Sequence, residues 1–324
     1  MALDPAIKAE AQRILAKANE MQAWFLTKPP EVAAVMGLRA GLRVLPFILA
    51  GTPDGQFEKK ERHRVVMAFR YLALARLCAT SHSVSFYRAC TALNTVGHRT
   101  GTTVTAVIHD ASSAAIMLCL PYRNNAVASA ARAAHSLRRA SFIFYESDRD
   151  MPWREAAVDK AWIDGGGSVF ELQRKRLWLD HDSFNNLPEP YFTAWNALRR
   201  VLEEDDQSWR VWTSWYEDRR AGKLPDPDEI ELYRVTLIPD AYLKARDSSQ
   251  EGGRLWEEEL EAKHKILRND TRKSNRLIEK FIADWHAEER GTPLTADSPL
   301  LVHADERLGW RSGWLRKLFK ANDE

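Results

Sequence analysis
Apolar residues in this chain recur three or four positions apart and seldom alternate, and most breaks between the runs carry Pro or Gly, so nearly every segment predicts a helix. Asp4-Pro5 has the form of an N-cap followed by proline at the first helical position, and Ile7, Ile14, Ala18, Met21 and Phe25 then make one stripe. Pro29-Pro30 ends that helix and opens another, on which Val32, Val35, Leu38 and Leu42 share a face. After the GTPDG turn at 51–55, Val65, Phe69, Leu72 and Leu77 mark a third. The β-branched run TGTTVTAVIH at 100–109 breaks the pattern and allows one small β element near 102–108. Between about residues 124 and 145, Ala126, Ala130, Ala133, Ala134, Leu137, Ala140 and Phe144 project within an arc of about 120°, with Arg132, His135 and Arg139 opposite. Such small residues let a helix sit close to its neighbour while its arginines meet water or a ligand.

Further helices are expected at 153–163, 169–177 after a GGG turn at 165–167, 190–202, 207–221 and 227–233, with a long charged one at about 254–288 and a last one at 305–320. The fold class is therefore all-α, an irregular multi-helix bundle or a stack of helices, and no repeat of roughly 20–50 residues points to a regular solenoid. In DDQSWRVWTSWYEDRRAG, at 205–222, Trp209, Trp212, Trp215, Tyr216 and Arg219 fall within one sector of about 120°. That aromatic face fits a core, where each ring finds a polar partner for its N–H or O–H. It also fits an exposed platform for bases or cations, although Glu203, Glu204, Asp205, Asp206, Glu217 and Asp218 crowd it and argue against nucleic acid at this spot.

A resemblance rests on these residues. Trp153, Val158, Asp159, the glycines at 165–167, Leu172, Leu177-Trp178, Trp195 and Leu198, followed by WRVWTSWYEDRRAG, resemble a helical region found in many uncharacterised bacterial proteins, where an alanine-rich helical stretch can precede it. PPEVAAVMGLRAGLRVLP resembles the opening of the same proteins, so the likeness covers about half the chain, with the WxxWxxWYxxR run as its most specific part. The chain departs from them in lacking an aspartate-alanine repetition in the middle, and the tail after about Gln250 has no counterpart. The region sometimes accompanies signalling or defence-type domains and has no established activity, so the resemblance implies a helical fold and an accessory or interaction role.

Charge sharpens the picture. Residues 1–150 hold 19 Lys+Arg against 11 Asp+Glu, and the remainder 28 against 34, while only Trp24 of the twelve tryptophans lies in the first part. Two compositional regimes suggest two domains or subdomains, 1–150 and 151–324. Within residues 62–139 there are ten arginines, no lysine and one acid, Asp110. Guanidinium groups pair bidentately with phosphate and carboxylate. Arg62, Arg70, Arg132, His135, Arg138 and Arg139 are thus candidate contacts for an anionic partner. That partner could be an acidic protein surface, a nucleic acid, or the acidic second half of this same chain.

Catalytic signals are weak. Nine histidines include no HxxxH, HxH or HExxH, there is no GxSxG, and no metal or other cofactor is expected. The adjacent His109 and Asp110, with His82 or His98 upstream and Asp148, Asp150 or Asp159 downstream, leave open a helical metal-dependent phosphohydrolase. Three widely spaced cysteines, Cys78, Cys90 and Cys119, form no CxxC and no disulfide framework, which predicts a reducing, cytoplasmic setting. Neither a signal peptide nor a membrane span is expected, because Arg39, Arg43, His109 and Asp110 interrupt the most apolar stretches. The segment 305–320 places Trp310, Trp314, Leu318 and Phe319 together among basic residues, as a domain-closing helix, a partner-docking helix or a membrane-surface one.

Overall fold
The computed structural model describes residues 5–50, 57–80, 102–119, 125–144, 148–178, 188–238, 262–263, 265–267, 269–295, 298 and 300, and every regular element among them is helical. The segment 305–320 with Trp310, Trp314, Leu318 and Phe319 lies outside these residues, as do His82, Arg88, Cys90, His98, Arg99 and Arg123. No described helix is long and apolar enough to cross a membrane.

Helix α1 (Pro5–Phe25) buries Ile14, Ala18, Met21 and Phe25, while Ile7, expected on the same stripe, is exposed. Helix α2 (Pro30–Val44) is covered all round from Val32 to Val44, as a central helix must be. Around it pack α3 (Lys59–Thr80), α4 (Thr103–Ile116) and α5 (Asn125–Ile143). A Cβ at Gly41 would lie 2.7 Å from Leu72 Cδ2 and 3.1 Å from Ala111 Cβ, so α2, α3 and α4 meet there with no space for a side chain.

Residues 103–108 are helical, not β, with Thr102 just before them. Thr102 caps α4 by accepting a hydrogen bond from the Thr105 N–H at 3.3 Å, and the Thr105 hydroxyl accepts one from the Thr102 N–H at 3.3 Å. This capping box, with burial of Val104, Val107, Ile108, Ala111, Ala114 and Ala115 between neighbouring helices, overrides the β propensity of the run.

Two other helices are shorter than their sequence patterns. After α6 (Met151–Asp164) and a turn through Gly166 at φ +89°, α7 spans only Val169–Gln173. The carbonyls of Leu172, Lys175, Arg176 and Leu177 accept hydrogen bonds from Arg39, and Leu177 O also from Arg43, so the chain here is held by side chains instead of by helical bonding. In the long C-terminal pattern, Asp270 is non-helical and its carboxylate caps α11 (Thr271–Glu289) by accepting from the Lys273 N–H at 2.8 Å.

The remaining helices are α8 (Glu189–Glu204), α9 (Arg210–Ala221) and α10 (Asp228–Thr236). One apolar cluster joins residues from both halves of the chain, with Phe69 of α3 stacked on Trp212 of α9 at 5.5 Å and Phe47 edge-on to Tyr191 of α8 at 5.4 Å. Gly222 ends α9 in the left-handed region, at φ +71°, and a Cβ there would lie 2.7 Å from Arg174 O and 2.7 Å from Arg176 N. Both neighbours are backbone, held by the arginine contacts just described. Gly222→Ala is expected to cost roughly 2–4 kcal/mol, combining left-handed strain with overpacking, read as a lower urea midpoint. A midpoint unchanged from wild type would mean that the 174–176 strand of backbone moves aside freely.

Candidate functional site
The arginines that interrupt α2 are buried. Arg39 Nε lies 3.0 Å from Asp159 Oδ2 and Arg43 Nη1 2.8 Å from the same oxygen, with Arg43 also 3.6 Å from Glu155. Asp159 is 0% exposed. Burial by itself pushes this carboxyl up, but the two guanidinium groups outweigh burial and hold it below the usual carboxylate range. Sequence reading missed this centre. The signals present were two arginines four apart in an otherwise apolar helix and an acid amid the apolar positions of residues 153–163.

A second buried centre forms around Glu231 of α10, also 0% exposed. Its oxygens accept from Trp215 Nε1, each at 3.0 Å, and face Arg76 Nε at 3.5 Å and Arg234 Nη1 at 3.7 Å. A cavity of about 20 Å³ touches Arg39, Arg76, Gln173, Trp215 and Arg219, enough for a single water.

These centres decide how the aromatic helix face is used. Trp209, Trp212, Trp215 and Tyr216 are all buried, and each polar tip has a partner: Asp205, Asn275, Glu231 and the Leu42 carbonyl respectively. An exposed stacking platform is thereby ruled out. The rings are core.

Several candidate anion contacts are likewise consumed inside the fold. Arg62 pairs with Asp205 at 2.7 Å. Arg70 is 0% exposed and donates to Leu267 O at 3.4 Å and Ser274 Oγ at 3.0 Å, with burial pushing its pKa down to about 9. An external anion cannot reach Arg70 in this structure, which corrects its place among the surface candidates. Arg76 is taken up by Glu231, by Asp228 at 3.8 Å and by Asp226 O at 3.1 Å.

Four of the candidates stay together at the surface, on α5. Its Ser129, Ala130, Ala133, Ala134, Ser136 and Ala140 are buried, so α5 lies close against α2 and α4 and turns one narrow face outward. That face carries Arg132, His135, Arg138 and Arg139 between the exposed Val127 and Phe142. Arg132 Nη1 is 3.0 Å from Asp110 Oδ1 and Arg139 Nε is 2.8 Å from Asp110 Oδ2, yet their side chains remain 44% and 48% exposed. Arg138 and His135 have no polar partner among the described residues. Two guanidinium groups share one carboxylate, and a third adds its charge beside them.

The same geometry bears on His109 and Asp110. Asp110 is buried with both oxygens occupied by guanidinium groups, whereas the His109 ring is exposed against Tyr71 at 6.3 Å. Consecutive positions on a helix point about 100° apart. The structure does not bring the two together as ligands, and among the described residues no group of three or more His, Cys, Asp or Glu could hold a metal ion. No family model, curated protein or solved structure matches the chain.

Proposed function
We propose that the protein is a non-enzymatic helical accessory or scaffold protein that recognises an acidic surface of a partner protein through the exposed face of α5. The observation that carries this reading is the sharing of Asp110 by Arg132 and Arg139. It anchors both guanidinium groups without neutralising them, and leaves them half exposed beside Arg138. Pre-anchored arginines lose less side-chain freedom on binding than solvated ones, and planar forks suit carboxylates. Val127 and Phe142 at the two ends give the face apolar margins.

The test uses the full chain, with fluorescence anisotropy against a poly-glutamate peptide and a short duplex DNA at two salt concentrations. Arg132→Gln with Arg138→Gln is the informative variant, because Arg139 still pairs with Asp110 at 2.8 Å, and circular dichroism checks that the variant keeps its helical fold. Affinity for the acidic peptide is expected to fall roughly 5- to 30-fold, the worth of two partly screened charges. Binding of DNA alone, steeply weakened by salt, would reassign the face to nucleic acid. Binding of neither probe would remove the reading.

A further inference from the structure
We propose that the cavity between α2, α3, α7 and α9 is a binding site for a single monatomic anion, a halide such as chloride. The site is independent of the interaction reading, because it lies inside the fold and no residue of α5 lines it. Arg39 of α2, Arg76 of α3, Gln173 at the end of α7, and Trp215 and Arg219 of α9 surround it, with Leu38 and Leu42 on its apolar side.

The polar groups around this cavity are mainly donors, and most are spent. Arg39 gives its N–H groups to Asp159 and to the carbonyls of Leu172, Lys175, Arg176 and Leu177. Arg76 faces Glu231 at 3.5 Å, and Trp215 Nε1 donates to the same carboxylate. Two donors are left over. Arg219 is 8% exposed and its Nη2 donates to Leu224 O at 2.9 Å, but its buried Nε has no acceptor among the described residues. The buried Nε2 of Gln173, on the same cavity, has none either.

Charge points the same way. Arg76 and Arg234 already share Glu231, and Arg234 also takes Asp226 at 2.9 Å. Arg219 makes no ion pair among the described residues, and burial pushes its pKa down against the attraction of Glu231. An anion beside it supplies both a countercharge and an acceptor for the leftover N–H groups. Water suits the site less well, since its own two hydrogens need acceptors where the lining offers mainly donors. Size sets the ligand class. About 20 Å³ holds one particle of roughly the size of a water molecule, so a halide enters and phosphate or sulfate does not.

The experiment exchanges the full chain into sodium gluconate and titrates it with sodium chloride at constant ionic strength. Chlorine NMR linewidth reads binding, and the urea midpoint reads stability. At ten times its dissociation constant, chloride is expected to raise the folding equilibrium constant about elevenfold. Gln173→Leu and Arg219→Met should each remove the line broadening and the chloride-specific gain in midpoint; Gln173→Leu keeps every charge and serves if Arg219→Met fails to fold. Arg132→Gln with Arg138→Gln should keep both signals, which separates this site from the face of α5. Equal midpoints in chloride and gluconate without broadening would overturn the inference, leaving a water held by the Gln173 carbonyl turned towards Arg219. Broadening that survives both cavity variants, or that sulfate displaces, would overturn it by placing the chloride on the surface.

Discussion

Asp159→Ala is expected to lower folding stability by about 3–5 kcal/mol, the range for removing one partner of a buried ion pair. Arg39 and Arg43 are 3% and 2% exposed, so without this carboxylate two cations would remain in a low-dielectric site with Glu155 at 3.6 Å from only one of them. Those guanidinium groups also hold the carbonyls of 172–177, so the disturbance reaches the backbone packed against Gly222. Chemical denaturation followed by circular dichroism measures the loss. A change below about 1 kcal/mol would show that the guanidinium charges are satisfied without Asp159, since exposed pairs fall in that range.

The pH dependence of the same group provides an independent check. Its folded-state pKa is depressed below the unfolded value of about 3.9. The stabilisation is therefore complete above that pH and is lost as pH falls through the lower folded value. The stability gap between wild type and Asp159→Asn should be constant from neutral pH down to about 4 and narrow only in stronger acid. A gap that closes between about pH 5 and 7 would contradict a depressed pKa.

Trp212→Ala is the second large effect, at about 3–5 kcal/mol for a large aromatic removed from a core. Trp212 is wholly buried, stacked on Phe69 at 5.5 Å and edge-on to Trp215 at 6.3 Å. Its Nε1 donates to Asn275 Oδ1 at 2.9 Å, and Asn275 in turn donates to Gln207 O at 2.8 Å. One ring thus joins α3, α9 and α11. Trp212→Phe keeps most of the ring but strands the Asn275 oxygen, and is expected to cost about 1–3 kcal/mol. Equal losses for the two variants would place the energy in the hydrogen bond, and a negligible loss for both would mean that this face is not core.

The expected helices and the structure agree where the apolar period is long and uninterrupted, as in α3, α5 and α8. They part where a long-range contact outbids local pattern. The 100–109 run reads as β from its branched residues, yet neighbours on three sides and a threonine cap make it α4. Helix α7 stops early because Arg39 and Arg43, more than a hundred residues upstream, take carbonyls from the segment that follows it. The aromatic sector of α9 was legible as one face, and its acidic flank already spoke against nucleic acid; its burial is a property of what packs on it.

Charge shows the same division. The excess of arginine in residues 62–139 is visible by counting, but a count cannot distinguish Arg70, sealed under α11, from Arg139, half exposed on α5. Periodicity, capping residues and composition act over a few neighbours, so the sequence by itself determined an all-α chain, the faces of its helices and the uneven placement of its charges. Which carboxylate meets which guanidinium depends on approaches between residues as many as 155 positions apart, set by the packing of helices around α2. Only the tertiary structure could decide that Arg62, Arg70 and Arg76 tie distant helices together and that α5 keeps a cationic face outward.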